Sequence, residues 1–140
     1  MDNELEKVII RPDDINQDEP ECCYCKGQKT AFGKLISKEG FEICDGYWKI
    51  YSRITFAVKC RRIRIMYAKF VGSGGKFSVF VDGINVAMIN SGFYDGDSDC
   101  IEAEEVFSST EMAEHIIEVI VDKDVARGGG RVWISAVELA

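Results

Sequence analysis

A chain of 140 residues and 15.7 kDa suits one domain with a real core and excludes a multidomain enzyme. Hydrophobic residues at 46% and charged residues at 29% exclude wholesale disorder, and apolar runs of only a few residues exclude a membrane-spanning helix. The net charge of −7 is unevenly spread: residues 1–21 carry two basic and eight acidic groups, residues 22–76 twelve and three, and residues 77–140 three and thirteen. An acidic chain of this kind is a poor general binder of nucleic acid, because phosphate contacts need clustered Lys and Arg that the remaining field does not oppose.

Residues 1–21 hold both prolines and a single apolar cluster, Val8-Ile9-Ile10. They are expected to form an acidic N-terminal tail or an edge segment that adds little stability, leaving residues 22–140 as one domain. The opening Met-Asp-Asn-Glu-Leu-Glu lacks a secretory leader pattern. Localisation stays open, with the cytoplasm favoured if the chain is complete. Six cysteines are too few for a disulfide scaffold of this length, so reduced thiols are expected. Cys22 and Cys25 have the spacing of a zinc knuckle, but the second cysteine pair is missing, and only Cys44, Cys60 or His115 remains to complete a site.

From about residue 48 the pattern is a succession of short alternating runs. Residues 48–58 alternate as a half-buried strand does, and Ile63, Ile65 and Tyr67 continue on the opposite parity. A turn or bulge within residues 59–62 is therefore expected. Asp82-Gly83 separates Phe77, Val79 and Val81 from Ile84, Val86 and Met88, and Asp-Gly between alternating runs predicts a tight hairpin. Residues 91–99 form a polar loop. Strands are expected over 101–107, 115–121 and 131–139, with residues 108–114 a short connection that holds at most a helical turn. Seven or eight strands without a long amphipathic helix predict an all-β, antiparallel β-sandwich; a closed barrel is the alternative.

The order of these motifs resembles the galactose-binding-domain-like jelly roll. The resemblance runs over residues 48–140, from Ile63-x-Ile65-x-Tyr67 and a glycine-rich loop to Val81-Asp82-Gly83, Glu114-His115-x-Ile117-x-Val119 and Val132-x-Ile134. It implies the fold of carbohydrate-binding modules and of accessory domains in glycosidases and carbohydrate esterases. Two departures stand out: Ala113 replaces a frequent glycine, and the Cys-rich segment 22–25 has no counterpart. By this resemblance the chain binds sugar without catalysis, in edge loops or on a concave face. Aromatic rings would stack on sugar C–H faces while amides and carboxylates meet hydroxyls. The ligand-binding candidates are Tyr94, Phe93, Asn90, Asp95, Asp97 and Trp48. Tyr94 is the stacking platform, whereas Trp48 and the in-strand Trp133 also suit a core.

Asp95, Asp97 and Asp99 stand at alternate positions, as the carboxylates of a calcium loop do, yet the helix-loop-helix calcium pattern fails at Cys100 and Val106. A non-helical structural calcium near these three residues is the one metal site this loop admits, and no cofactor is expected. Catalysis has little support: His115 is the single histidine, no Gly-x-Ser-x-Gly elbow accompanies it, and phosphate-loop and dinucleotide fingerprints are absent. The alternative function is an intracellular protein-protein interaction domain on the same scaffold. Its basic 59–69 face would meet an acidic protein, or the acidic half of another copy in a weak homo-oligomer.

Overall fold

The computed structural model describes residues 8–12, 23–24, 32–37, 39–70, 75–91, 98–122 and 131–140. The strands are β1 (Val8–Ile10), β2 (Cys23–Tyr24), β3 (Phe32–Leu35), β4 (Phe41–Cys44), β5 (Tyr47–Ile50), β6 (Arg53–Lys69), β7 (Lys76–Val81), β8 (Ile84–Asn90), β9 (Cys100–Asp122) and β10 (Val132–Leu139). All pairings are antiparallel, in the order β4-β5-β10-β6-β9-β7-β8, with β1 on β10, and β3 joining β6 to β2. Among the described residues there is no α-helix, and none long and apolar enough to cross a membrane.

Two layers arise because β6 and β9 are long and bent. Residues 53–60 of β6 pair with β3 on one side and with residues 113–120 of β9 on the other, while residues 62–69 pair with β10 and with residues 100–108. The bend falls at Arg61 and Arg62, whose successive N–H groups both donate to the Ala140 carbonyl at 2.7 and 3.1 Å, the mark of a bulge. This bulge inverts the alternation. Ile54, Phe56, Val58 and Cys60 point inward before it, and Ile63, Ile65 and Tyr67 after it, so one strand lines the core in both layers. The parity break in the sequence is therefore a bulge within one strand.

Three expectations need correction. Residues 48–58 are not one strand: β5 ends at Ile50, and a corner at Tyr51 and Ser52 leads into β6. Residues 108–114 are neither a connection nor a helical turn. They lie within β9, where the register jumps from Ala113, opposite Cys60, to Ser108, opposite Arg62, and Ser109 Oγ accepts from the Glu111 N–H at 3.1 Å across the extra residues. Backbone pairing to β6 on both sides of the insertion holds this polar stretch extended where its local sequence suggested a turn. Nor is the N-terminal segment dispensable: Val8 and Ile10 are buried and β1 lies along residues 137–139 of β10. Ile10 closes one side of the sandwich against Gly33, where a Cβ would collide with Ile10 Cδ1 and approach Leu139 Cδ1 to 3.1 Å. Burying two such side chains is worth about 3 to 5 kcal/mol, which polar flanking residues conceal in the sequence.

Candidate functional site at the loop end

The register brings several strand ends to one end of the sandwich. Val121 N–H donates to the Ser52 carbonyl at 3.0 Å, Asp122 lies opposite Lys76, Lys76 lies opposite Asn90, and Val132 lies opposite Ile50. The ends flanking residues 71–74, 92–97 and 123–130 therefore meet beside the β5–β6 corner. From that corner to β8 there are three strand spacings, roughly 14 Å.

An open cleft of about 720 Å³ lies at this corner, lined by Glu39, Gly40, Tyr51, Ser52, Arg53 and Ile120. Its backbone is set by Gly40, whose carbonyl accepts from the N–H groups of Tyr51 and Ser52 at 3.1 and 3.0 Å. Gly40 has φ +95, and a Cβ there would stand 2.7 Å from the Arg53 carbonyl oxygen, so both conformation and close approach require glycine. The corner leaves Tyr51 42% exposed, with its hydroxyl 3.5 Å from the Phe41 carbonyl. Beside it the Arg53 guanidinium donates to Glu118 at 3.4 Å. An exposed ring next to fixed donors and acceptors can stack on an apolar face while bonding hydroxyls. Sequence reading passed over Tyr51 because it sits inside an apparently continuous strand pattern; the adjacent serine was the available signal.

Of the expected ligand-binding residues, Asn90 is the exposed last residue of β8. Ser91 follows, 1% exposed, and locks the start of the loop: its N–H and its hydroxyl donate to the Gly75 carbonyl at 2.9 and 2.7 Å. Phe93, Tyr94, Asp95 and Asp97 lie outside the described residues, as do Cys22 and Cys25. Trp48 is a correction. It is 0% exposed and packs edge-on to Phe56 with ring centroids 5.2 Å apart, so it belongs to the core and offers no face to a ligand. Alternation on β5 turns its neighbour Tyr47 outward instead, where Phe70 stands between Tyr47 and the half-buried Trp133 at centroid distances of 5.9 and 4.9 Å.

The fold also brings Cys60, His115 and Asp82 into one neighbourhood. His115 Nδ1 lies 2.7 Å from Asp82 Oδ2, Asp82 Oδ1 accepts from the Ile116 N–H at 2.8 Å, and the imidazole packs edge-on to Phe107. Burial pushes the Asp82 carboxyl up, but the hydrogen bonds from His115 and Ile116 and the His115 charge outweigh it and hold it below the usual carboxylate range. Cys60 is fully buried, and burial, helped by the Asp82 charge, pushes its thiol up to about 12. A thiol pushed up this far is a poor nucleophile at neutral pH. Among the described residues no group of three metal-ligating side chains converges.

The basic run of β6 is interleaved with acid. Lys59 lies opposite Glu114 and Arg64 opposite both Glu105 and Glu138, with Arg64 3.8 Å from the buried Glu138 carboxylate. Arg61 donates to the Thr110 carbonyl at 3.4 Å. This face is striped with both signs.

No protein-family model matches the sequence, and no curated protein does. Solved structures do. A family two carbohydrate esterase from Cellvibrio japonicus superposes with a TM-score of 0.55 at 16% identity, over 96% of this chain and 33% of that one. A two-domain esterase active on acetylated mannans, co-crystallised with mannopentaose, gives 0.60 at 15% identity, over 94% of this chain and 36% of that one. The CBM36-1 domain of a multidomain xylanase from the hindgut metagenome of Trinervitermes trinervoides gives 0.53 at 10% identity, over 96% and 97%. The chain thus spans about a third of the esterases' length and nearly all of the xylanase domain. It is a galactose-binding-like antiparallel β-sandwich, the fold it shares with these proteins.

Proposed function

We propose that the protein is a non-catalytic carbohydrate-binding module whose site lies at the loop end of the sandwich. The observation that carries this reading is the cleft of Tyr51, Arg53 and Glu39, which offers an exposed ring, a guanidinium and a carboxylate at the end where residues 92–97 leave and rejoin the fold. Tyr94 serves as a second stacking ring, with Phe93 beside it, and Asn90, Asp95 and Asp97 meet sugar hydroxyls. The proteins of like fold supply the first probes, since one is an esterase active on acetylated mannans and another is a domain of a xylanase. The non-catalytic part of this reading is supported by a Cys60 thiol that burial pushes up to about 12.

Isothermal titration with manno- and xylo-oligosaccharides, guided by a glycan array, tests the reading. Binding is expected to be modest and insensitive to salt, because stacking on a neutral sugar involves no ion pairing. Tyr51→Ala and Tyr94→Ala should each weaken it about tenfold while the circular dichroism spectrum stays unchanged. Absence of binding to any glycan at millimolar concentration overturns the proposal; full binding by both variants overturns the site.

A further inference from the structure

One face of the sandwich carries two clefts in line. Along β6, Ile54, Phe56 and Val58 point into the core, so Arg53, Thr55 and Ala57 point outward, and on β9 their partners Ile120, Glu118 and Ile116 point the same way. The Arg53–Ile120 row borders the corner cleft of Tyr51. The Ala57–Ile116 row continues to Lys34 on β3 and, through the Asp82 N–H bond to the Ile116 carbonyl at 2.8 Å, to the β7–β8 turn. It floors a second cleft of about 450 Å³, whose lining includes Lys34, Ala57, Asp82, Glu114 and Ile116. Ala57 is the smallest side chain of the row, and Ile116 beside it is 41% exposed, so the floor is apolar. Lys34 stands on one bank and Asp82 on the other.

We propose that the second cleft is a further subsite for the glycan held at Tyr51, so that one chain of several sugars lies along β6 and β9. The inference rests on the carbohydrate reading and adds to it the length and charge of the ligand. The two rows are four residues apart on both strands, roughly 14 Å at about 3.4 Å per residue, farther than one sugar ring reaches. The path between them is polar: Thr55 brings a hydroxyl, and Arg53 and Glu118, 3.4 Å apart, bring a guanidinium and a carboxylate. In the second cleft Lys34 is a donor and the carboxylates of Glu114 and Asp82 are acceptors, Asp82 keeping acceptor capacity beyond its bonds to His115 and Ile116. A sugar ring has the matching character, with C–H groups for Ile116 and Ala57 and hydroxyls that both donate and accept. Mixed charge along the path also selects. A polyanion would meet Glu39, Glu118 and Asp82, and a polycation Arg53 and Lys34, so the arrangement favours a neutral chain. Joining two weak subsites by one chain makes the second contact intramolecular, which raises affinity with no stronger contact at either.

Titration of the whole chain with mannobiose against mannopentaose and xylobiose against xylopentaose, or with the same two lengths of the best glycan on an array, tests the inference. The pentasaccharide of the series that binds should bind one per chain and about tenfold tighter than its disaccharide. Ile116→Ala, which removes the apolar floor at an exposed position, and Ala57→Phe, which fills the trough, should each bring the two affinities together. Tyr51→Ala should instead weaken both lengths. Circular dichroism checks that each variant folds, and Ile116→Ala carries the test if Ala57→Phe does not. Equal affinity for the two lengths in the wild type overturns the inference, as does a length dependence that Ile116→Ala leaves unchanged. Equal affinities that Tyr51→Ala still weakens remove the second subsite and leave the corner site standing, whereas no binding of any glycan removes both.

Discussion

The molecule builds the same turn twice and uses it differently. Asp45-Gly46 joins β4 to β5 and Asp82-Gly83 joins β7 to β8, and in both pairs φ is 54 for the aspartate and 84 for the glycine. These are the two consecutive positive values of the two-residue hairpin whose twist matches its strands. Asp45 is exposed, and its carboxylate has one weak contact, from the Cys44 thiol at 3.8 Å. Asp82 reaches across to β9, where it accepts from the Ile116 N–H and holds His115, while its own N–H donates to the Ile116 carbonyl at 2.8 Å. Identical local chemistry thus makes a free hairpin in one place and a brace between three strands in the other. The difference lies in what stands opposite the side chain.

The largest expected contrast is in stability. Asp82→Ala should cost about 2 to 3 kcal/mol in urea unfolding at neutral pH: about 1 for alanine in the left-handed region and the rest for the lost bonds to Ile116 and His115. The second part is taken at the low end because the Asp82 side chain is 47% exposed. Asp45→Ala should lose only the backbone share, about 1 kcal/mol. Equal losses in the two variants would show that the brace contributes nothing.

A smaller contrast is expected in acid. The Asp82 carboxyl titrates lower when folded than when unfolded, because its bonds to His115 and Ile116 outweigh its burial. Its contribution is therefore fully present above the unfolded value of about 3.9 and is lost as pH falls through the lower folded value. Melting temperatures between about pH 5 and pH 2 should fall less steeply in Asp82→Asn than in the wild type. An unchanged slope in Asp82→Asn would refute the assignment.

The smallest expected difference concerns the glycines. A Cβ at Gly46 or Gly83 meets nothing within 4 Å, so alanine at either position carries only the conformational cost, about 1 kcal/mol. The two losses should agree within about 0.5 kcal/mol. A larger loss in Gly83→Ala would mean that the brace constrains the turn backbone as well as the aspartate side chain.

Much of the fold was legible in the residues. The alternation of Phe77, Val79 and Val81, the Asp82-Gly83 dipeptide and the inverted parity after residue 60 carry the β7–β8 hairpin, the bulge and the antiparallel sandwich, because side-chain period and positive φ are local properties. Asp45-Gly46 carries the same dipeptide signal, between the shorter strands β4 and β5. The candidate site was less legible. Tyr51 looked like one more strand position until Gly40 turned the chain beneath it, and Trp48, chosen for its type, faces the core because its strand's inward row includes Ile50.

The sequence alone established an all-β antiparallel domain, its most secure hairpin and the inward rows of its central strands, since each follows from contacts within a few residues. Long-range pairing settled the rest. It carried residues 108–114 through β9 as a bulged strand, inserted Ile10 against Gly33, set Asp82 beside His115 across 33 residues of chain, and left β8 at an edge of the sheet among the described residues. Such outcomes depend on which strands become neighbours and in what register, and a polar or apolar residue carries the same local pattern whether its edge of the sheet is covered or open.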